Sequence, residues 1–93
     1  MYRFDGQYLR GDSGMIIAKV DSDYIRDDRG MIAGSITDGR YIRDSRNMIV
    51  GQFDDYYVRD GMGMIIGDMH DIRRNFDGVG GATLAALWIL FVR

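Results

Sequence analysis

Four arginines, Arg10, Arg26, Arg43 and Arg59, each follow a tyrosine by two residues, the partners being Tyr8, Tyr24, Tyr41 and Tyr57. Guanidinium groups repeated along one surface are what an anion-binding ring needs, and exposed rings beside them are what a glycan-binding face needs. Each arginine also has a carboxylate close by in sequence and a tyrosine on its own face. Stacking and exposed ion pairing therefore account for them without a ligand, and such pairs contribute little individually. These eight residues form the candidate ligand-binding set.

Other chemistry is sparse. Arg10-Gly11-Asp12 spells a cell-adhesion tripeptide, yet Gly11 stands where Asp27, Asp44 and Asp60 stand in related segments, so it reads as an ordinary turn. Asp21-Ser22-Asp23 and Asp54-Asp55 suggest calcium, but there is no EF-hand spacing and no glutamate anywhere in the chain. His70 is the one histidine and occupies a turn-edge position of the repeat described below, with no cysteine or glutamate to complete a metal or acid–base site. Serines 13, 22, 35 and 45 lie in or beside turns without a partner histidine, and no phosphate-cradling loop is present. Met15, Met31, Met48 and Met64 recur at one offset and are expected as gap-fillers at the edge of a core or in an interface. The expectation is a non-enzymatic protein with no cofactor and no metal.

Composition sets the frame for these residues. Ninety-three residues suit one small domain, and 46% hydrophobic with 28% charged residues suits a globular chain. Twelve basic and fourteen acidic residues are intermixed for a net charge of −2, which disfavours nucleic acid as a partner. Without cysteine there are no disulfides. MYRFDGQYLR has no continuous apolar stretch, so no secretory signal is read and the cytoplasm is the default location.

The elements that position the arginines follow from a repeat. Tyr8, Tyr24, Tyr41 and Tyr57 open four units spaced by 16, 17 and 16 residues. Each reads aromatic, aliphatic, Arg, a four-residue turn, then Met, Ile, aliphatic, small, polar, apolar. Alternation with period two predicts a β-hairpin per unit, and hence eight strands. Leu9, Ile25, Ile42 and Val58 are expected on the core face. Counting back along the second strands puts Ile16, Ile32, Ile49 and Ile65 there as well, with Ala18, Gly34, Gly51 and Gly67 as the small central residues. Asp27, Asp44 and Asp60 open turns that reach Gly30, Asn47 and Gly63 three residues later, as Gly14 does in the first unit, which predicts a type I turn with a G1 bulge.

Four hairpins around a common axis would converge their apolar faces. Tyr2-Arg3-Phe4-Asp5 supplies a half-unit, and Ile72-Arg73-Arg74-Asn75 looks like a worn fifth start; pairing the two would close a ring. The run Tyr-Ile-Arg-Asp-x-x-Gly-Met-Ile-x-Gly resembles the bacterial four-fold β-flower domain family over about residues 1–75, with Asn47 for glycine and the short fifth unit as departures. The resemblance implies hairpins in pseudo-fourfold order followed by an apolar C-terminal segment. It brings no activity and no site residues.

The chain thus divides into a hairpin-repeat domain over 1–75 and a glycine joint with an apolar helix over 76–93. Val79 to Val92 is fourteen residues, short of the roughly twenty that span a bilayer. A helix apolar all round must be buried. Plugging the β-ring ranks first, packing against another copy second, and membrane contact last. Leu84, Leu87, Trp88, Leu90 and Phe91 are the candidate packing or oligomer interface. The expected function is a structural or interaction domain that self-associates through this segment. The alternative is a glycan- or anion-binding module, because Tyr-Asp-Gly hairpins are similar to bacterial surface repeats that bind glycans on exposed aromatics.

Overall fold

The computed structural model describes residues 1–78 and 80–93; the expected start of the apolar stretch, Val79, lies outside the described residues. Local turn chemistry sets the hairpins. In the second unit the Asp27 N–H donates to the Met31 carbonyl (2.8 Å) and the Gly30 N–H to the Asp27 carbonyl (3.1 Å), closing a type I turn. Gly30 sits at φ 83° and Asn47, its counterpart, at φ 68°, a left-handed conformation that asparagine also tolerates. One carboxylate oxygen of Asp27 accepts from the backbone N–H groups of Arg29 (2.9 Å) and Met31 (3.0 Å), and Asp44 and Asp60 do the same in their turns.

Each turn joins two strands of one repeat: β2 (Tyr8–Arg10) with β3 (Ile16–Asp21), β4 (Tyr24–Asp27) with β5 (Ile32–Thr37), β6 (Tyr41–Asp44) with β7 (Ile49–Phe53), and β8 (Tyr57–Asp60) with β9 (Ile65–Asp68). A further strand, β1 (Tyr2–Phe4), precedes them, and β10 (Phe76–Gly78) follows. The fold is mainly β, ten strands in one sheet ordered β10-β1-β2-β3-β4-β5-β6-β7-β8-β9.

Every hairpin carries a β-bulge just past the turn. Leu9 pairs with Ala18 but Arg10 pairs with Ile16, so Ile17 is the extra residue, and the other three hairpins repeat this shift. The bulge reverses the side-chain parity beyond it. Leu9, Ile25, Ile42 and Val58 have no exposed surface, as the alternation predicts. Ile16, Ile32, Ile49 and Ile65, expected inside, are instead 38–53% exposed, and Ile17, Val50 and Ile66 pack on the core in their place. The methionines beside them are 63–71% exposed and fill no core gap.

The ends of the sheet also depart from expectation. Residues 72–75 do not begin a fifth strand; they belong to α1 (Met69–Asn75). Its N-terminus is capped by the Asp68 carboxylate, which accepts from the Asp71 N–H (2.9 Å), and Arg73 and Arg74 lie in its last turn. Both features favour a helix over a strand at this point. His70 is exposed on α1 and not at a turn edge. Sheet closure by pairing the two ends is replaced by a parallel pairing of β10 with β1, Tyr2 opposite Phe76. Phe76–Gly78 therefore belongs to the sheet. No hydrogen-bonded ladder links β9 to β10 among the described residues; α1 packs on both, and its Ile72 has no exposed surface.

The C-terminal segment forms α2 (Ala82–Leu87), which continues as a π-helical turn over Trp88–Val92. Leu84, Ala85, Ala86 and Leu87 all have zero exposure. Four consecutive helical residues at about 100° each face every direction, so the sheet and α1 surround this helix. Small residues in the hairpins make room for it. A Cβ on Gly51 would lie 2.4 Å from Ile89 Cδ1, one on Gly34 2.7 Å from Leu90 Cδ1, and one on Gly67 2.9 Å from Trp88 Cη2. Three successive helix residues thus meet three successive hairpins. The Arg93 N–H donates to the Trp88 carbonyl (2.8 Å), an i→i+5 bond. Its wider turn advances less than 100° per residue, so neighbouring side chains stay in step with neighbouring hairpins.

Candidate functional site

The four arginines are spent on their own turns. Arg10, Arg26, Arg43 and Arg59 each donate from Nη1 to the carbonyl of the left-handed turn residue four positions on, at 3.2, 2.9, 2.9 and 2.9 Å. Three of them also reach back to the preceding connection: Arg43 Nε donates to Thr37 Oγ1 (3.3 Å), Arg59 Nε to Asp54 Oδ2 (3.2 Å), and Arg26 Nε lies 3.8 Å from Asp21 Oδ2. These three guanidinium groups tie one end of a hairpin to the other, while Arg10 holds only its own turn. The expected stacking on tyrosine is absent among the described residues, where the cation–π contact is Lys19 Nζ over the Tyr8 ring at 5.9 Å.

The tyrosines share the outer face with the arginines but not one environment. Tyr24 and Tyr57 are 50% and 43% exposed, whereas Tyr8 and Tyr41 are half-buried. Tyr57 meets Tyr56 edge-on at 5.0 Å between centroids, beside a shallow cleft of about 590 Å³ lined also by Arg40 and Phe53. A second cleft, of about 350 Å³, adjoins Tyr24 and Ser35. The eight candidate residues are distributed around the sheet, one pair per hairpin, and do not converge on one cavity. Arg10-Gly11-Asp12 lies in the first turn, where Asp12 pairs with the N-terminal amine.

The connections between hairpins carry their own carboxylate chemistry. Asp5 Oδ1 accepts from the N–H groups of Tyr8 (2.7 Å) and Gln7 (2.9 Å), which holds its carboxyl below the ordinary carboxylate range. At Asp54 burial pushes the carboxyl up, but the Tyr57 N–H and the Arg59 guanidinium outweigh it and the net direction is also down. These are structural anions. Among the described residues no three His, Cys, Asp or Glu side chains are grouped to hold a metal ion, and no helix is long and apolar enough to cross a membrane.

Of the candidate interface, Leu84 and Leu87 are fully enclosed by their own domain, and Trp88, Leu90 and Phe91 are half-buried on its core. The exposed apolar surface lies elsewhere. Met15–Ile16, Met31–Ile32, Met48–Ile49 and Met64–Ile65 stand at one level in every hairpin, just past the turn, and Met62 in the fourth turn is 90% exposed. Phe91 reaches this level beside Met15, Ile16 and Ile17. Sequence reasoning missed the rim because alternation alone assigns its isoleucines to the core; the signal available was the invariable G1-type turn, which often accompanies a bulge. Compared with protein-family models, curated proteins and solved structures, the chain matches none.

Proposed function

We propose that the protein is a non-enzymatic, self-associating interaction domain whose contact surface is the Met–Ile rim at the hairpin tips. The observation that carries this reading is the fourfold recurrence of an exposed methionine and an exposed isoleucine at one level of the molecule. Exposed apolar side chains scattered singly are ordinary, whereas a repeated set at one end marks a contact surface. Methionine suits such a role because its unbranched thioether adapts to a partner's shape. The enclosure of Leu84 and Leu87 within their own domain favours the rim over the C-terminal helix as the contact. The repeat likewise supports placing the chain, as a proposal, in the four-fold β-flower family.

The test replaces Met15, Met31, Met48 and Met64 together by Gln and compares mass by light scattering and melting by circular dichroism. The expected outcome is an assembled wild type and a monomeric variant with a nearly unchanged Tm. A wild type that stays monomeric at millimolar concentration, or a variant that keeps the wild-type mass, would sink the reading.

A second reading is favoured by one observation, the Tyr56–Tyr57 pair beside its cleft: a glycan stacked on exposed rings. Titration with neutral oligosaccharides should then perturb tyrosine fluorescence in the wild type and not in Tyr57→Ala. No perturbation at saturating sugar removes it.

A further inference from the structure

The two ends of the hairpins differ sharply in charge. Residues 10–16, 26–32, 43–49, 59–65 and 91–93, the tip end, hold seven arginines and five aspartates. Residues 5–8, 21–24, 37–41, 54–57 and 68–71, the connection end, hold eight aspartates and one arginine, Arg40, and Arg73 of α1 adds a second cation in a cleft it shares with Asp55 and Tyr56. The antiparallel order of the sheet places all the turns at one end and all the connections at the other. The apolar character differs too. The tip end presents thioethers and isoleucines, whereas the connection end presents the exposed rings of Tyr24, Tyr56 and Tyr57.

We infer that the Met–Ile rim of one copy docks on the acidic, tyrosine-bearing connection end of a second copy, head to tail; this rests on the rim being the contact surface. The two ends complement each other in both respects: net positive meets strongly negative, and methionine sulfur meets aromatic ring edges. A tip-to-tip pairing would instead oppose two net-positive surfaces. A head-to-tail contact is heterologous, so copies add in a row unless the rotation between them closes a ring. The carboxylates available for it are those not committed within the chain. Asp23, Asp38 and Asp55 are exposed and accept no side-chain hydrogen bond among the described residues, unlike Asp5 and Asp54.

Complementation between two full-length variants tests the geometry. The tip variant is Met31→Gln with Met48→Gln. The connection variant is Asp23→Asn, Asp38→Asn and Asp55→Asn; asparagine is chosen because Asp38 and Asp55 sit at φ 58° and 78°, which it tolerates. Circular dichroism first confirms that both fold. Sedimentation of the wild type should show species larger than the monomer at low ionic strength that shrink at about 1 M salt, where the Debye length is about 3 Å. Each variant alone should be monomeric or at least tenfold weaker in self-association. Mixed one to one, they should form a dimer that grows no further, since each retains one intact face. Loss of assembly in the tip variant with wild-type assembly in the connection variant would overturn the head-to-tail geometry and leave the rim reading standing. A monomeric wild type would overturn both. Binding of a monomeric wild type to phosphatidylserine vesicles, lost in the tip variant and kept in the connection variant, would assign the rim to an anionic lipid surface and overturn the inference.

Discussion

Ile42 and Ile49 are the same residue type in the same hairpin, seven positions apart, yet one has no exposed surface and the other is 38% exposed. The bulge at Val50 separates their levels in the ladder, Ile42 pairing with Gly51 and Ile49 with Arg43. On the Gly51 side of the bulge the apolar side chains face the C-terminal helix; on the turn side Ile49 faces solvent, opposite Arg43. The contrast teaches that this small sheet uses its most apolar positions for two purposes. One set holds the helix, and the other is exposed at the hairpin tips.

The largest effect that sharpens this contrast is a paired truncation. Ile42→Ala should cost about 2–5 kcal/mol by lost burial and the cavity left behind. Ile49→Ala should cost well under about 1 kcal/mol, a difference urea denaturation resolves. Equal losses would mean that the rim isoleucines are core after all. Next in size is Gly51→Ala. Its methyl would lie 2.4 Å from Ile89 Cδ1 and 3.1 Å from the Arg59 carbonyl oxygen, so the Ile89 side chain must repack beside Trp88, and overpacking of this kind costs about 1–3 kcal/mol. Gly30→Ala probes a different property, its left-handed φ of 83°, and meets no atom within 4 Å. Trp88 fluorescence should therefore change on substitution at Gly51 and not at Gly30.

A smaller, opposite effect is expected in the first turn. Gly11 lacks the carboxylate that Asp27, Asp44 and Asp60 direct at their turns, and its added Cβ would meet only the flexible end of Ile17, at 3.0 Å. Gly11→Asp should raise stability by about 0.5–1 kcal/mol through new backbone hydrogen bonds. A fall in Tm would show that the Ile17 contact governs this position instead. The smallest effect concerns acid. Asp5 and Asp54 are held below the ordinary carboxylate range, so the folded state binds their protons less readily than the unfolded chain does. Their contribution is present above about pH 4 and is lost as pH falls through their lowered values. Tm should stay level from neutral pH to about 5 and decline below about 4, with Asp54→Asn giving a shallower decline.

Much of the hairpin was legible because it is local. A left-handed residue needs Gly or Asn, a turn-opening carboxylate needs neighbouring N–H groups, and Leu9, Ile25, Ile42 and Val58 alternate with polar neighbours over a distance no bulge interrupts. The arginines were legible as a set but not in their role, since donation to the carbonyl four residues on depends on the curl of the turn. Residues 72–75 resemble a strand start in isolation; the Asp68 cap and the acidic-to-basic order of residues 71–74 favour a helix. The candidate surface was hidden for a related reason. One inserted residue per strand reverses parity without altering composition.

The amino-acid sequence by itself determined four hairpins, their turns, the inward aliphatic of each first strand, and a C-terminal helix that must be buried. These rest on backbone sterics and short-range hydrogen bonds that act within one unit. Tertiary structure decided what buries that helix, why Gly34, Gly51 and Gly67 are small, and which isoleucines face outward. Each of those depends on the distance between segments far apart in the chain, set when the sheet curls until Leu90, Ile89 and Trp88 fill the space above the three glycines.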